Sequence, residues 1–138
     1  MKPELQTYGP NSPTFASTSA EGYSPGRATD GNNSTYWKPQ ESDADPYLTL
    51  DVERTLDLYG VSVLFAGHYV GTFKVELSAD QVNWEIMPSV GEWEDAWWKA
   101  AWTRPVKARF IRFSFPGVTQ RKSPALAEVE VRGILPTF

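Results

Sequence analysis

The stretch PYLTLDVERTLDLYGVSVLF, residues 46–65, decides the fold. Leu48, Leu50 and Val52 alternate with Thr49 and Asp51, and Val61, Val63 and Phe65 repeat the same two-residue period. Successive side chains of a strand point to opposite faces, so this is the signature of strands with one face buried. The pattern returns at Phe73, Val75 and Leu77, at Ile111, Phe113 and Phe115, and at Ala127, Val129 and Val131. No stretch carries a capped 3.6-residue stripe, so helix is expected to be minimal. Eleven Pro and ten Gly punctuate the chain at intervals that suit short strands joined by loops. Five or more half-buried strands must cover one another's apolar faces, which predicts an all-β chain folded as a β-sandwich.

Length and charge narrow the function classes. At 138 residues the chain reads as one domain, residues 1–138, with one real core. Net charge is −4, and the 13 basic residues are scattered apart from Arg121-Lys122, which gives a nucleic acid no basic face to use. There is no cysteine, hence no disulfide framework and no thiolate metal site. No apolar run approaches 18 residues, and MKPELQTYGP lacks the apolar core of a signal peptide. Met1-Lys2-Pro3 reads as an added start, so the expectation is a monomeric module cut from a longer secreted chain.

Outside the strands, two segments ask for an explanation. RATDGNNSTYW, residues 27–37, strings together short oxygen-bearing side chains where a surface turn needs about two of them. Such a loop folds either around its own backbone, as an Asx-type turn, or around a hard cation. The spacing of Asp30, Asn32, Ser34 and Glu41 imitates an EF-hand loop, but Thr35 stands where the turn glycine is needed, and Pro39 follows with no flanking helices. The second segment, VGEWEDAWWKAAW at 90–102, holds four of the six Trp and reads as a loop. Adjacent Trp97 and Trp98 point to opposite sides if that segment is extended, so at most one of them is naturally buried.

The loop ATDGNNSTYW resembles the A-x-D-G-N-x-x-T-x-W signature of the discoidin, or coagulation factor 5/8 type C, domains, and most of all the bacterial carbohydrate-binding modules of family 32. The likeness continues in order: PYLTLDVERTLDLYGVSV, then FKVELSADQVNW with Gln81 in place of a usual Gly, then PVKARFIRFSF, then LAEVEVRG. It covers about residues 14 to 133. Eukaryotic members usually carry a Cys near each end, and the absence of both here points to a bacterial module. The resemblance implies an antiparallel, jelly-roll-like β-sandwich of the discoidin, galactose-binding-like kind, and a structural calcium ion. Its ligands would be the carbonyl of Arg27, Asp30, Asn32, Thr35, the carbonyl of Ala127 and the carboxylate of Glu128. Glu128 alternates with Val129 and Val131, so it is expected to leave the core face and tie the last strand to the Asp30 loop.

The same resemblance implies that Trp37, Trp84 and Trp102 are structural, with Trp102 in the place of a buried Phe. Trp93, Trp97 and Trp98 have no such duty, and an uncovered ring suits the C–H face of a sugar. Polar partners for the hydroxyls would be His68, Glu92, Lys99 and Arg121. The expected function is a non-catalytic carbohydrate-binding module that holds an attached glycan-active enzyme, a glycoside hydrolase or similar, on its oligo- or polysaccharide substrate. The alternative is an adhesion domain gripping a protein or a membrane surface, for which Trp97-Trp98-Lys99 is a partial match that the nearby Glu92, Glu94 and Asp95 oppose. An enzyme is not expected: a lone His supplies no catalytic zinc set, and no nucleophile motif surrounds it.

Overall fold

The alternating stretch at 46–65 folds as one continuous strand, and that strand organises the molecule. In the computed structural model, which describes residues 5–67, 69, 72–88, 91–118 and 123–136, the order is β1 (Gln6–Tyr8), β2 (Thr14–Ala16), one 3-10 turn (Pro25–Ala28), β3 (Tyr47–Phe65), β4 (Lys74–Ser78), β5 (Glu85–Met87), β6 (Glu92–Glu94), β7 (Trp97–Ser114) and β8 (Leu126–Ile134). All strand pairs are antiparallel, in the order β1-β8-β3-β7-β4-β5, with β2 added to β3 and β6 to β7.

The two longest strands build both layers. The first part of β3, Tyr47–Asp51, lies between β2 and the last part of β7, which continues into β4 and β5. The second part, Asp57–Phe65, lies between β8 and the first part of β7, with β1 and β6 outside them. Between the halves the β3–β7 register shifts from Asp51 to Leu56, and Glu53 takes φ 69 there. Irregularities of this kind bend a strand and raise its twist, which lets one curled sheet close over itself as a sandwich.

A second shift is larger on the β7 side. Gly60 faces Ala101 and Leu58 faces Val106, so Trp102 to Pro105 bulge out opposite Tyr59 alone. Pro105 cannot donate to a ladder and sits where none is needed. Gly60 is required at this point, because a Cβ would lie 2.6 Å from both the Ala100 carbonyl oxygen and the Arg132 guanidinium.

The core fills the space between the layers with the residues the alternation selects: Leu48, Leu50, Val61, Val63, Phe65, Val75, Leu77, Ile111, Phe113, Phe115, Val129 and Val131. Trp37 is fully buried and donates its indole N–H to the Thr18 carbonyl at 3.0 Å. Its backbone exchanges hydrogen bonds of 2.9 and 3.0 Å with Leu126, which fastens the segment after the Asp30 loop to the start of β8.

Two expectations need correcting. The segment 90–102 is not a loop: it forms β6, a tight turn at Asp95-Ala96 and the start of β7. Trp102 is only half buried, packed against the edge of the core, because the bulge lifts it out of the position a regular strand would give it.

Candidate functional site

The hairpin places the aromatic residues. Trp93 stands directly across from Trp98, so both rings lie on the face turned toward the core, while Glu94, Trp97, Glu92 and Lys99 take the other face. Trp98 is 3% exposed and meets Phe73 edge-on at 4.7 Å. Gly91 lies flat against its indole, where any Cβ would overlap the ring. Trp98 is therefore a core residue with no face left for a ligand. Trp93, one step nearer the end of the sandwich, rests on Phe65 at 5.3 Å and remains 46% exposed. Trp97 is half buried on the opposite face.

The turn is docked on the end of β3 by a hydrogen bond from the Phe65 N–H to the Ala96 carbonyl, 3.0 Å. Asp95 holds φ 57, the left-handed conformation that tight hairpins require. Trp93, Asp95, Ala96 and Gly67 together line a hollow of about 280 Å³. On the other face, Gly91, Glu92, Lys99 and Arg132 border a hollow of about 390 Å³. Lys99 is held by Glu94 at 3.1 Å, and Arg132 donates to Ser62 at 2.8 Å and to the Ala100 carbonyl at 3.2 Å. Trp93 and Glu92 thus face different hollows. His68 and Arg121 lie outside the described residues.

The Asp30 loop is ordered by its own oxygens. Asp30 accepts the Asn32 N–H at 2.9 Å with one carboxylate oxygen and the Thr35 hydroxyl with the other. The Asn32 side-chain oxygen accepts the Ser34 N–H at 2.9 Å. These are the bonds of an Asx-type turn, and they hold the loop in shape without help. They do not account for Glu128. The residue is 3% exposed, its Oε1 has no hydrogen-bond partner, and its carboxyl interacts with that of Asp30. Burial first, then the charge and hydrogen bonding of Asp30, push Glu128 up to about 7, against the Gly31 N–H pulling the other way. Asp30 also meets a cost from burial, but hydrogen bonds from Thr35, from the Asn32 N–H and from Glu128 leave it below the ordinary carboxylate range.

Two facing carboxyls, one of them buried with an idle oxygen, make a poor arrangement for an isolated protein and a good one around a cation. Among the described residues no three His, Cys, Asp or Glu side chains come together. An ion here would therefore need amide, hydroxyl and carbonyl oxygens beside the two carboxylates. Asn32, Thr35, and the carbonyls of Arg27 and Ala127 offer that chemistry, and it suits calcium.

Two paired arginines had no place in the sequence reading. Arg109 grips Asp51 with two bonds, at 2.8 and 3.0 Å. Arg112 reaches Glu76 with two more and lays its guanidinium 3.9 Å from the Trp84 ring centre. The i, i+3 arginines in ARFIR lie in different environments because an odd spacing puts them on opposite faces of β7: Arg109 sits at the register shift between the Phe110 and Ala108 pairs, whereas Arg112 is paired with both Thr49 of β3 and Glu76 of β4.

With this geometry in place the comparisons are informative. The family profile described as the F5/8 type C domain matches residues 13–129, and the chain belongs to that family. Chitosan-binding module 1 from the chitosanase/glucanase of Paenibacillus sp. IK-5 superposes with a TM-score of 0.79 at 19% identity, covering 91% of this chain and 97% of that one. The family 32 module from C. perfringens NanJ, solved with galactose, gives 0.75 at 17% identity, over 87% and 92%. A fucose-binding module of Streptococcus pneumoniae gives 0.73 at 19% identity, over 92% and 94%. At these identities the likeness is one of fold. No curated protein sequence matches the chain significantly.

Proposed function

We propose that this domain is a non-catalytic carbohydrate-binding module that anchors an attached glycan-active enzyme to its substrate. The observation that carries the reading is Trp93: a large ring left 46% exposed at the end of the sandwich, beside a hollow it lines with Gly67, Asp95 and Ala96. A pyranose presents a patch of C–H bonds with slight positive charge, which stacks on the electron-rich indole, while Asp95 is placed to accept from hydroxyls or an amine. Phe65 beneath Trp93 fixes the ring before ligand arrives, so little side-chain freedom is lost on binding. His68 and Arg121 remain candidates for reading further hydroxyls. Tethering by such a module raises the local substrate concentration for the enzyme it is joined to.

Asp95 brings a negative charge to the hollow at Trp93, while Lys99, on the other face of the hairpin, is taken by Glu94. That balance favours an amine-bearing saccharide over a uronic acid, and a chitosan-binding module is among the folds this one resembles. Calcium at Asp30, Asn32, Thr35 and Glu128, with the Arg27 and Ala127 carbonyls, would supply charge neutralisation for the two facing carboxyls. In this reading the residues tie the loop to β8 and take no part in holding sugar.

Calorimetry with glucosamine hexamer, galactose, fucose and galacturonate oligomers tests the proposal. Saturable binding of at least one of them, with glucosamine hexamer ahead of galacturonate, is expected. Trp93→Ala should weaken it at least about tenfold, the loss of roughly one stacking contact, while the far-ultraviolet spectrum stays unchanged. Binding that survives Trp93→Ala intact would refute the assignment of the ring.

A further inference from the structure

The four-residue bulge of β7 opens a second, unrelated part of the surface. A cleft of about 520 Å³ runs between β5 and the bulge, walled by Ile86, Met87, Pro88, Trp102 and Val106. It continues into a hollow of about 290 Å³ that reaches Asn83 and Trp84, and the two share Glu85 and Val106. The result is a furrow whose lining includes two indoles, Trp102 and Trp84. None of its residues lines the hollow at Trp93. Trp102 stands four residues along β7 from Trp98, the partner of Trp93, so the two regions are separated by roughly 13 Å of strand.

Three features of this furrow are unusual for a mere surface crease. The Trp102 indole N–H is buried and has no hydrogen-bond partner, a state that costs free energy until an acceptor arrives. Glu85 and Arg104 line the same cleft with opposite charges, yet neither side chain has a hydrogen-bond or ion-pair partner among the described residues. Ile86, on a strand paired only with β4, is 61% exposed at the lip. Bulges commonly re-aim side chains next to binding sites, and here the bulge is what uncovers Trp102.

We infer that the furrow between β5 and the Trp102–Pro105 bulge is a second binding site, for an extended uncharged saccharide chain. A sugar ring combines an apolar C–H face with hydroxyls that both donate and accept. One such ring can lie against Trp102 and bond Glu85 and Arg104 at once, and its hydroxyls reach the shielded N–H once the indole turns toward the cleft. The two opposite charges disfavour a polyanion or a polycation, which would meet repulsion at one of them. A lipid chain would leave both charges desolvated and unpaired. A peptide adding to the β5 edge would use its backbone and leave the indole N–H idle.

The test follows the Trp102 indole signal in nitrogen-15 spectra of the intact chain, identified by its loss in Trp102→Phe, while cellohexaose, xylohexaose or mannohexaose is added. The titration is repeated in Trp93→Ala, which separates this site from the one at the rim. At least one hexaose should move the Trp102 signal saturably in both backgrounds. Glu85→Ala with Arg104→Ala, two exposed substitutions, should weaken that response about tenfold with an unchanged melting temperature. The inference is overturned if no hexaose moves the signal up to about 10 mM, or if the movement vanishes in Trp93→Ala. It is equally overturned if an extended peptide or a phosphatidylcholine vesicle moves the signal and the sugars do not. Binding at Trp93 alone would leave the proposed function standing and remove the second site.

Discussion

Replacing Glu128 by glutamine separates a cation site from a self-sufficient turn. Raising this carboxyl from 4.5 to about 7 corresponds to about 3 kcal/mol of differential stability. The folded pKa exceeds the unfolded one, so without a cation the domain is most stable below about pH 4.5 with respect to this group, and loses stability as pH rises through 7. Glutamine keeps the shape and removes the charge. In chelator at pH 8, Glu128→Gln should therefore be more stable than the parent, by about 2 kcal/mol or roughly 8 °C in melting temperature, with the difference closing toward pH 4.5. Calcium should invert the order. An ion bound a hundredfold above its Kd adds about 2.7 kcal/mol to the parent, and that gain should grow with pH as Glu128 ionises. The variant, lacking one carboxylate, should gain much less. Thermal melts in chelator and in excess calcium, at pH 5 and pH 8, provide the assay. A parent melting curve indifferent to calcium, or a variant less stable than the parent in chelator at pH 8, would refute the reasoning.

Two further outcomes are expected. Trp98→Ala should cost about 3–5 kcal/mol in a denaturant titration, because it empties a core position between Phe73 and Gly91, and a loss under about 1 kcal/mol would contradict its burial. Gln81 holds φ 64 in the turn where Asp80 accepts the Val82 and Asn83 N–H groups, a conformation that strains a side chain; Gln81→Gly should raise stability by about 0.5–1 kcal/mol, and a drop in melting temperature would count against that strain.

The two-residue alternation made the layers legible, because burial of one face leaves its mark on every second residue. It could not show that 48–52 and 61–65 are one strand. Their continuity depends on β7 staying alongside through a bulge, and pairing register is not written in either strand alone. The same blindness hid the hairpin. EWE and WWK carry charges on the solvent face that look like loop composition until Trp93 is set across from Trp98. Trp102 was misjudged for a related reason, since only the register against Leu58 and Gly60 creates the bulge that lifts it. Gln81 was visible as a departure from the family's glycine, and its positive φ supplies the cause. At the Asp30 loop the oxygen-rich composition pointed to the chemistry. The idle oxygen of Glu128 came from the fold, which buries the carboxyl where β8 passes Leu64.

The pairing of β1 with the far end of β8 brings the first and last strands of the sandwich to the same side. Gln6 lies against Gly133, whereas Leu126, at the other end of β8, pairs with Phe65, the residue beneath Trp93. Polypeptide arriving at β1 and departing past Ile134 thus meets the sandwich at a single pole, about 26 Å of strand away from the ring. A domain fused on either side would hang like a handle from that pole and leave the hollow beside Trp93 unshaded.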